Sequence, residues 1–123
     1  MKLHPSNTAG LNLFTAYGPD YVMVNQERFS RNLIVLPESL RPEWTTASVA
    51  SLSEADMEIL TGLGTEIILL GTGSRLRFPA GPLLRPFAMA GIGLDVMDLQ
   101  AACRTYNILA AEGRKVAAAL LFD

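Results

Sequence analysis

From residue 66 onward, short apolar runs alternate with stretches of helical period, and this alternation constrains the fold more than any other feature of the chain. Residues 66–70 end in Leu69-Leu70 and read as a buried strand, closed by Gly71-Thr72-Gly73. Residues 93–97 form a second strand candidate. Asp98 then caps a helix whose Leu99, Ala102, Cys103, Tyr106, Leu109 and Ala110 follow an i, i+3, i+4, i+7 spacing. Gly113 stands where such a helix stops. Residues 116–122, rich in alanine, supply a final strand on which a helix can pack closely. Strand, helix and strand in this order call for a sheet covered by helices.

The first half reads differently. Leu11, Leu13 and Thr15 alternate with Asn12, Phe14 and Ala16, and Gly18-Pro19-Asp20 supplies turn chemistry. Residues 21–24 predict a second strand, and Asn25-Gln26 a tight turn without the usual glycine. Residues 29–36 predict a third, central strand, because Leu33-Ile34-Val35-Leu36 is unbroken. Together these form an antiparallel meander. Pro37 and Pro42 bound an expected loop, with a short strand within 44–49. Ser53 is placed to cap a helix over 54–63, Leu52 and Met57 stand at hydrophobic-staple spacing, and Gly62 and Gly64 stop it.

After the Gly71–Gly73 turn, Leu76 and Phe78 alternate with Arg75 and Arg77, which suggests a short strand with a basic outer edge. Pro82 suits the start of the next helix. Pro86 removes a helical hydrogen bond and crowds the preceding turn, so an irregular first turn, or a start near Pro86, is expected. The resulting expectation is an α/β domain with α+β character over residues 11–123, preceded by a polar lead-in at 1–10. It has a central mixed β-sheet, about three helices on one side and the meander packed against another.

With 123 residues, half of them hydrophobic, the chain suits one core. A formal net charge of -2 provides no field to attract nucleic acid, which is excluded as an expected partner. One cysteine, Cys103, permits no internal disulfide, and one histidine, His4, adds no zinc-ligand spacing. No apolar run approaches the ~20 residues that cross a bilayer. Met-Lys-Leu-His-Pro-Ser-Asn lacks the apolar core of a secretory signal and the pattern of a transit peptide. A cytoplasmic location without cofactor or metal is the expectation.

Few residues suggest chemistry. Glycine turns such as Leu70-Gly71-Thr72-Gly73-Ser74 can present backbone N–H groups to a phosphate, yet no Gly-x-Gly-x-x-Gly opens a helix and no Gly-Lys-Ser/Thr follows. A structural turn is the favoured reading. Arg75, Arg77 and Arg85 suit either an anion or acidic-partner patch or a solvated edge. Cys103 lies on an apolar helical stripe and reads as a structural thiol. His4 has no flanking motif. Asp98 is explained as a cap, so Asp95, Asp98 and Glu112 leave no carboxylate pair. Thr105 and Asn107 are mediocre helix formers in mid-helix, and Asn107 suits a hydrogen bond to a neighbouring loop or a partner contact.

The stretch Gly91-Ile92-Gly93-Leu94-Asp95-Val96-Met97-Asp98, then Ala101-Ala102-Cys103-Arg104-Thr105-Tyr106-Asn107-Ile108-Leu109 and Glu112-Gly113-Arg114-Lys115-Val116-Ala117-Ala118-Ala119-Leu120, resembles an uncharacterised bacterial and archaeal family related to mitochondrial complex I assembly factor 3. The turn Leu70-Gly71-Thr72-Gly73 and the order of meander, Trp44 segment and alternating half resemble it as well, over roughly residues 8–122. The resemblance implies a layered fold with a central mixed sheet. It also implies an accessory role in assembling respiratory NADH–ubiquinone oxidoreductase through protein contact, with no catalytic residues to carry over.

The first functional expectation is therefore a non-enzymatic binding or assembly factor with protein partners, respiratory-complex subunits among them. Its surface would combine Gly71, Thr72, Gly73, Arg75, Arg77, Thr105 and Asn107. The second is a small anionic-ligand-binding domain, or an uncharacterised enzyme, using the same turn. A homo-oligomer is compatible with either.

Overall fold

The computed structural model describes residues 10–123, so His4 and nearly all of the polar lead-in lie outside the described residues. Strands β1 (Phe14–Tyr17), β2 (Val22–Val24) and β3 (Glu27–Phe29) form the antiparallel meander in the order β1-β2-β3. The turn at Asn25-Gln26 works without glycine because Asn25 itself adopts φ 55°, a left-handed conformation that asparagine tolerates.

The expected strand over 29–36 is instead two strands in two sheets. β3 ends at Phe29, and β4 (Leu33–Leu36) enters a separate five-stranded sheet. Asn32 makes the break. Its Nδ2 donates to the carbonyls of Thr45 and Ala47, both at 2.9 Å, and its Oδ1 accepts from the Phe122 N–H at 2.8 Å. One side chain thereby ties three distant segments and redirects the chain. The expected loop from Pro37 to Pro42 is a hairpin whose second arm, β5 (Ser39–Pro42), is an edge strand, where proline is tolerated. Nor do residues 44–49 form a strand. They run irregularly into a short 3₁₀ turn (Val49–Ser51), held where the buried Trp44 donates its indole N–H to the Leu120 carbonyl at 3.3 Å.

The five-stranded sheet has the order β5-β4-β8-β6-β7, with β6 (Ile67–Gly71), β7 (Gly93–Met97) and β8 (Val116–Leu120). β8 pairs antiparallel with β4 and parallel with β6, and β6 pairs parallel with β7, so the sheet is mixed as the pattern implied. Alternation sorts its side chains. Leu33, Val35, Leu69, Val116, Ala118 and Leu120 join one cluster, while Ile34, Ile68, Leu70, Ala117, Ala119 and Leu121 join the other.

The three helices do not share one side. α1 (Glu54–Thr61) and α2 (Gly81–Ala90) cover one face, and α3 (Leu99–Ala111) covers the other together with the meander. The connection β6–α2–β7 steps outward across the sheet, and β7–α3–β8 steps back past β6. Right-handed crossovers in opposite directions put their helices on opposite faces.

Local signals set the helix ends. Ser53 Oγ accepts from the Asp56 N–H at 3.2 Å and Asp56 Oδ2 accepts from the Ser53 N–H at 2.9 Å, a capping box above the buried pair Leu52 and Met57. Asp98 Oδ1 accepts from the Ala101 N–H at 2.9 Å, and Gly113 leaves α3 at φ +82°. α2 starts at Gly81 rather than near Pro86, with Pro82 in its first turn. It buries only Phe87 fully, and both prolines are exposed, so a carbonyl that loses its donor to Pro86 lies on a solvated side.

α3 approaches the sheet closely because small residues line the contact. A Cβ on Gly71 would lie 2.8 Å from Leu120 Cδ2 and 3.2 Å from Ala102 Cβ. Gly71→Ala is expected to lower stability by about 1–3 kcal/mol through overpacking, read as a lower urea midpoint with an unchanged slope. An unshifted midpoint would show that this approach is not tight.

Candidate functional site

The Gly71–Gly73 turn sits at the carboxyl ends of β6 and β7, where their helices diverge to opposite faces and α/β sheets commonly open a ligand crevice. Here Thr72 fills that position. Its backbone N–H extends the ladder to the Met97 carbonyl at 2.8 Å, and its side chain is buried at 1% exposure. The hydroxyl lies 2.6 Å from the Arg75 carbonyl and 3.2 Å from the Met97 carbonyl, and accepts from the Arg77 N–H at 3.1 Å. Two backbone groups of the 75–77 segment are thereby committed to a side chain, and no strand forms at 75–78.

Further polar groups of the turn are also taken. The Gly73 carbonyl accepts from the Leu99 N–H at 2.8 Å, joining the turn to the start of α3. The Ser74 N–H donates to Asp123 Oδ2 at 3.1 Å, and the Ser74 hydroxyl donates to the same oxygen. Gly73 has φ +87°, and a Cβ there would collide with Asp123 Oδ1. A carboxylate thus already occupies the place an external anion would take. The Ser74 hydroxyl holds the Asp123 carboxyl below its ordinary range, aided by the Ser74 amide and the charges of Arg77 and Arg75 and opposed by burial. The adjoining cavity, lined by Gly18, Gly73, Asp98 and Gln100 among others, measures only 190 Å³.

The other expected site residues lie apart from this turn. Asn107 is eight residues beyond Leu99 along α3, roughly 12 Å at 1.5 Å per residue. Its Oδ1 accepts from the Phe14 N–H at 2.9 Å and its Nδ2 donates to the Phe14 carbonyl at 2.8 Å, so the side-chain amide pairs with β1 as a strand would. Beside it the Tyr106 hydroxyl donates to the Asn12 carbonyl at 2.9 Å, and the Tyr106 ring meets Phe14 edge-on at 5.2 Å. Asn107 docks the meander onto α3, and the half-buried Thr105 belongs to the same helix. Burial pushes the Cys103 thiol up to about 12, so the nucleophilic thiolate is suppressed.

Of the expected surface, Arg75 and Arg77 face solvent, and beside them Leu76 is 52% and Phe78 67% exposed. Sequence reasoning missed Asp123, whose role depends on β6 and β8 ending side by side, a pairing no local pattern announces. A cavity of about 610 Å³ lies at the opposite end of the sheet beside Leu36, Leu63, Thr65, Arg114 and Lys115. No group of three or more His, Cys, Asp or Glu that could hold a metal occurs among the described residues. No described helix is long and apolar enough to cross a membrane.

A family model described as a protein of unknown function (DUF498/DUF598) matches residues 14–121. The chain belongs to this family. Among its relatives is NADH dehydrogenase [ubiquinone] 1 alpha subcomplex assembly factor 3 from Bos taurus, 32% identical over 86% of this chain and 58% of that protein. A 13 kDa major membrane protein of Francisella tularensis subsp. holarctica is 32% identical over 59% of each chain. The chain spans about three fifths of the length of these curated relatives. A crystal structure of a Bordetella parapertussis protein is 42% identical and superposes with a TM-score of 0.85, covering 94% of this chain and 98% of that one.

Replacing Asn107 with alanine leaves the Phe14 N–H and carbonyl without their partner and is expected to cost about 1–3 kcal/mol. Hydrogen exchange should quicken at Phe14 while β6 and β8 stay protected; unaltered exchange at Phe14 would refute the docking role. A second test concerns pH. A carboxyl held low in the folded state contributes stability that is present above its unfolded value near ~3.9 and is lost as pH falls through the lowered folded value. Asp123→Asn should therefore remove part of the acid-side decline in stability, and an unchanged acid limb would refute the Ser74–Asp123 coupling.

Proposed function

We propose that this chain is a binding and assembly factor that works by surface contact, with the exposed segment Arg75-Leu76-Arg77-Phe78 as its contact edge. The observation that carries the reading is the solvent exposure of these four consecutive residues, two cationic and two large and apolar, beside a turn that already holds the Asp123 carboxylate. Guanidinium forks beside exposed apolar side chains suit a protein partner that presents carboxylates around an apolar pocket. The sequence similarity to assembly factor 3 proteins supports an assembly role, and the proposal extends to subunits of respiratory NADH–ubiquinone oxidoreductase as partners and to work in the cytoplasm. An anion-binding role is less well supported, because Asp123 stands where the anion would sit.

Quantitative affinity capture from a native host extract, comparing wild type with Arg75→Ala/Arg77→Ala, tests the reading. Both arginines are exposed, so the variant should melt like the wild type. Specific recovery of respiratory-complex subunits, reduced about tenfold or more in the variant, is the expected result. Equal recovery by both proteins would remove the assigned edge.

A further inference from the structure

Beyond this contact edge, the geometry points to a second role for the same side of the molecule: the outward face of α2, together with residues 75–78, docks on an anionic phospholipid bilayer. Pro82, Arg85, Pro86 and Met89 follow i, i+3, i+4, i+7 spacing along α2, and all are exposed. The opposite side of the helix packs inward through Leu83, Leu84 and Phe87. Met89 is 80% exposed, and with Leu76 and Phe78 it makes three of the five exposed large apolar residues among those described. All three fall within one continuous stretch of chain. An aliphatic, an aromatic and a thioether side chain left in water along one stretch of chain mark an interaction site.

Charge says what kind. Between Ile67 and Leu94 the sequence contains no aspartate or glutamate and three arginines, Arg75, Arg77 and Arg85. All 12 acidic residues of this net-negative chain lie elsewhere. A second copy of the same face would set arginine against arginine, so self-association there is disfavoured. A protein helix would need a groove, and the cavities of about 610, 190 and 500 Å³ take no lining residue from 75–92, so none of them supplies one on this side. What remains is an outward helix with apolar side chains among arginines. A bilayer surface meets both features, since headgroup phosphates pair with guanidinium groups while Phe78 and Met89 enter the acyl boundary. The Asp123 carboxylate bonds to Ser74 beside Arg75 and Arg77 and leaves that edge a net positive charge, while Glu54, Asp56 and Glu58 lie on α1, which packs against α2, with Asp56 bonded to Ser53. The α1 acids set the tilt, turning the outer side of α2 toward the lipid and α1 away from it.

Co-sedimentation with vesicles tests this directly. The probes are vesicles of equal parts phosphatidylglycerol and phosphatidylethanolamine, compared with pure phosphatidylcholine. Wild type should pellet with the anionic vesicles alone and be released by raised salt. Arg75→Ala/Arg77→Ala/Arg85→Ala should weaken partitioning about tenfold or more, and Phe78→Ser/Met89→Ser several-fold, with both variants melting like the wild type. No pelleting with anionic vesicles would overturn the proposal, and so would pelleting that neither variant reduces. Phe78→Ser/Met89→Ser keeps Arg75 and Arg77 intact. If vesicle binding fails while affinity capture still depends on those arginines, the lipid proposal falls and the protein-contact reading stands.

Discussion

β8 enters the five-stranded sheet between β4 and β6, antiparallel to one and parallel to the other, and this insertion joins the two halves of the chain. Every residue of β8 is buried, and its three consecutive alanines leave room for layers on both faces. Without it, the β4–β5 hairpin and the β6–β7 pair would be separate two-stranded pieces, which are marginal in water. From outside the sheet Trp44 donates to the Leu120 carbonyl, and the Leu121 N–H extends the ladder to the Gly71 carbonyl. Those two bonds fix both the irregular 44–49 segment and the end of β6.

The same pairing decides what the glycine turn does. Because β6 and β8 run parallel in register, with Gly71 opposite Leu120, the chain that leaves each strand emerges at one end of the sheet. Ser74 and Asp123 meet there although they are far apart in sequence. Backbone geometry that would suit an external phosphate instead secures a carboxylate of the chain itself, and Thr72 closes the gap between β6 and β7. The exposed Leu76, Phe78 and Met89 then follow this turn along the chain.

Features whose partners lie close in sequence were readable in advance. The Ser53–Asp56 box, the Asp98 cap and the Gly113 stop each involve groups within a few residues, and their residue types report them directly. The strands β6, β7 and β8 were readable from apolar runs between helical patterns, although β7 proves to be a partly exposed edge strand. Features with distant partners were hidden. Asn32 splits a seemingly continuous strand because Thr45, Ala47 and Phe122 converge on it, and the apolar run beyond it outweighed that signal. Placement of helices on both faces follows from strand order, which periodicity cannot supply. Within the candidate site, Arg75 and Arg77 were readable as exposed charges, whereas the grouping of Asn107 with the turn ignored the length of α3 between them. The basic edge was assigned to a strand because Leu76 and Phe78 alternate with arginines, and the Thr72 hydroxyl prevents that strand by claiming its backbone groups.

The measurement that bears most directly on the glycine turn as the seat of Asp123 is an amide NMR titration with inorganic phosphate, following Gly73 and Ser74. If Asp123 fills the cradle, both resonances stay fixed apart from a small, non-saturating drift shared with exposed amides elsewhere. Saturable shifts confined to Gly73 and Ser74 in the wild-type protein would contradict this, and would make the turn an anion site that Asp123 only guards.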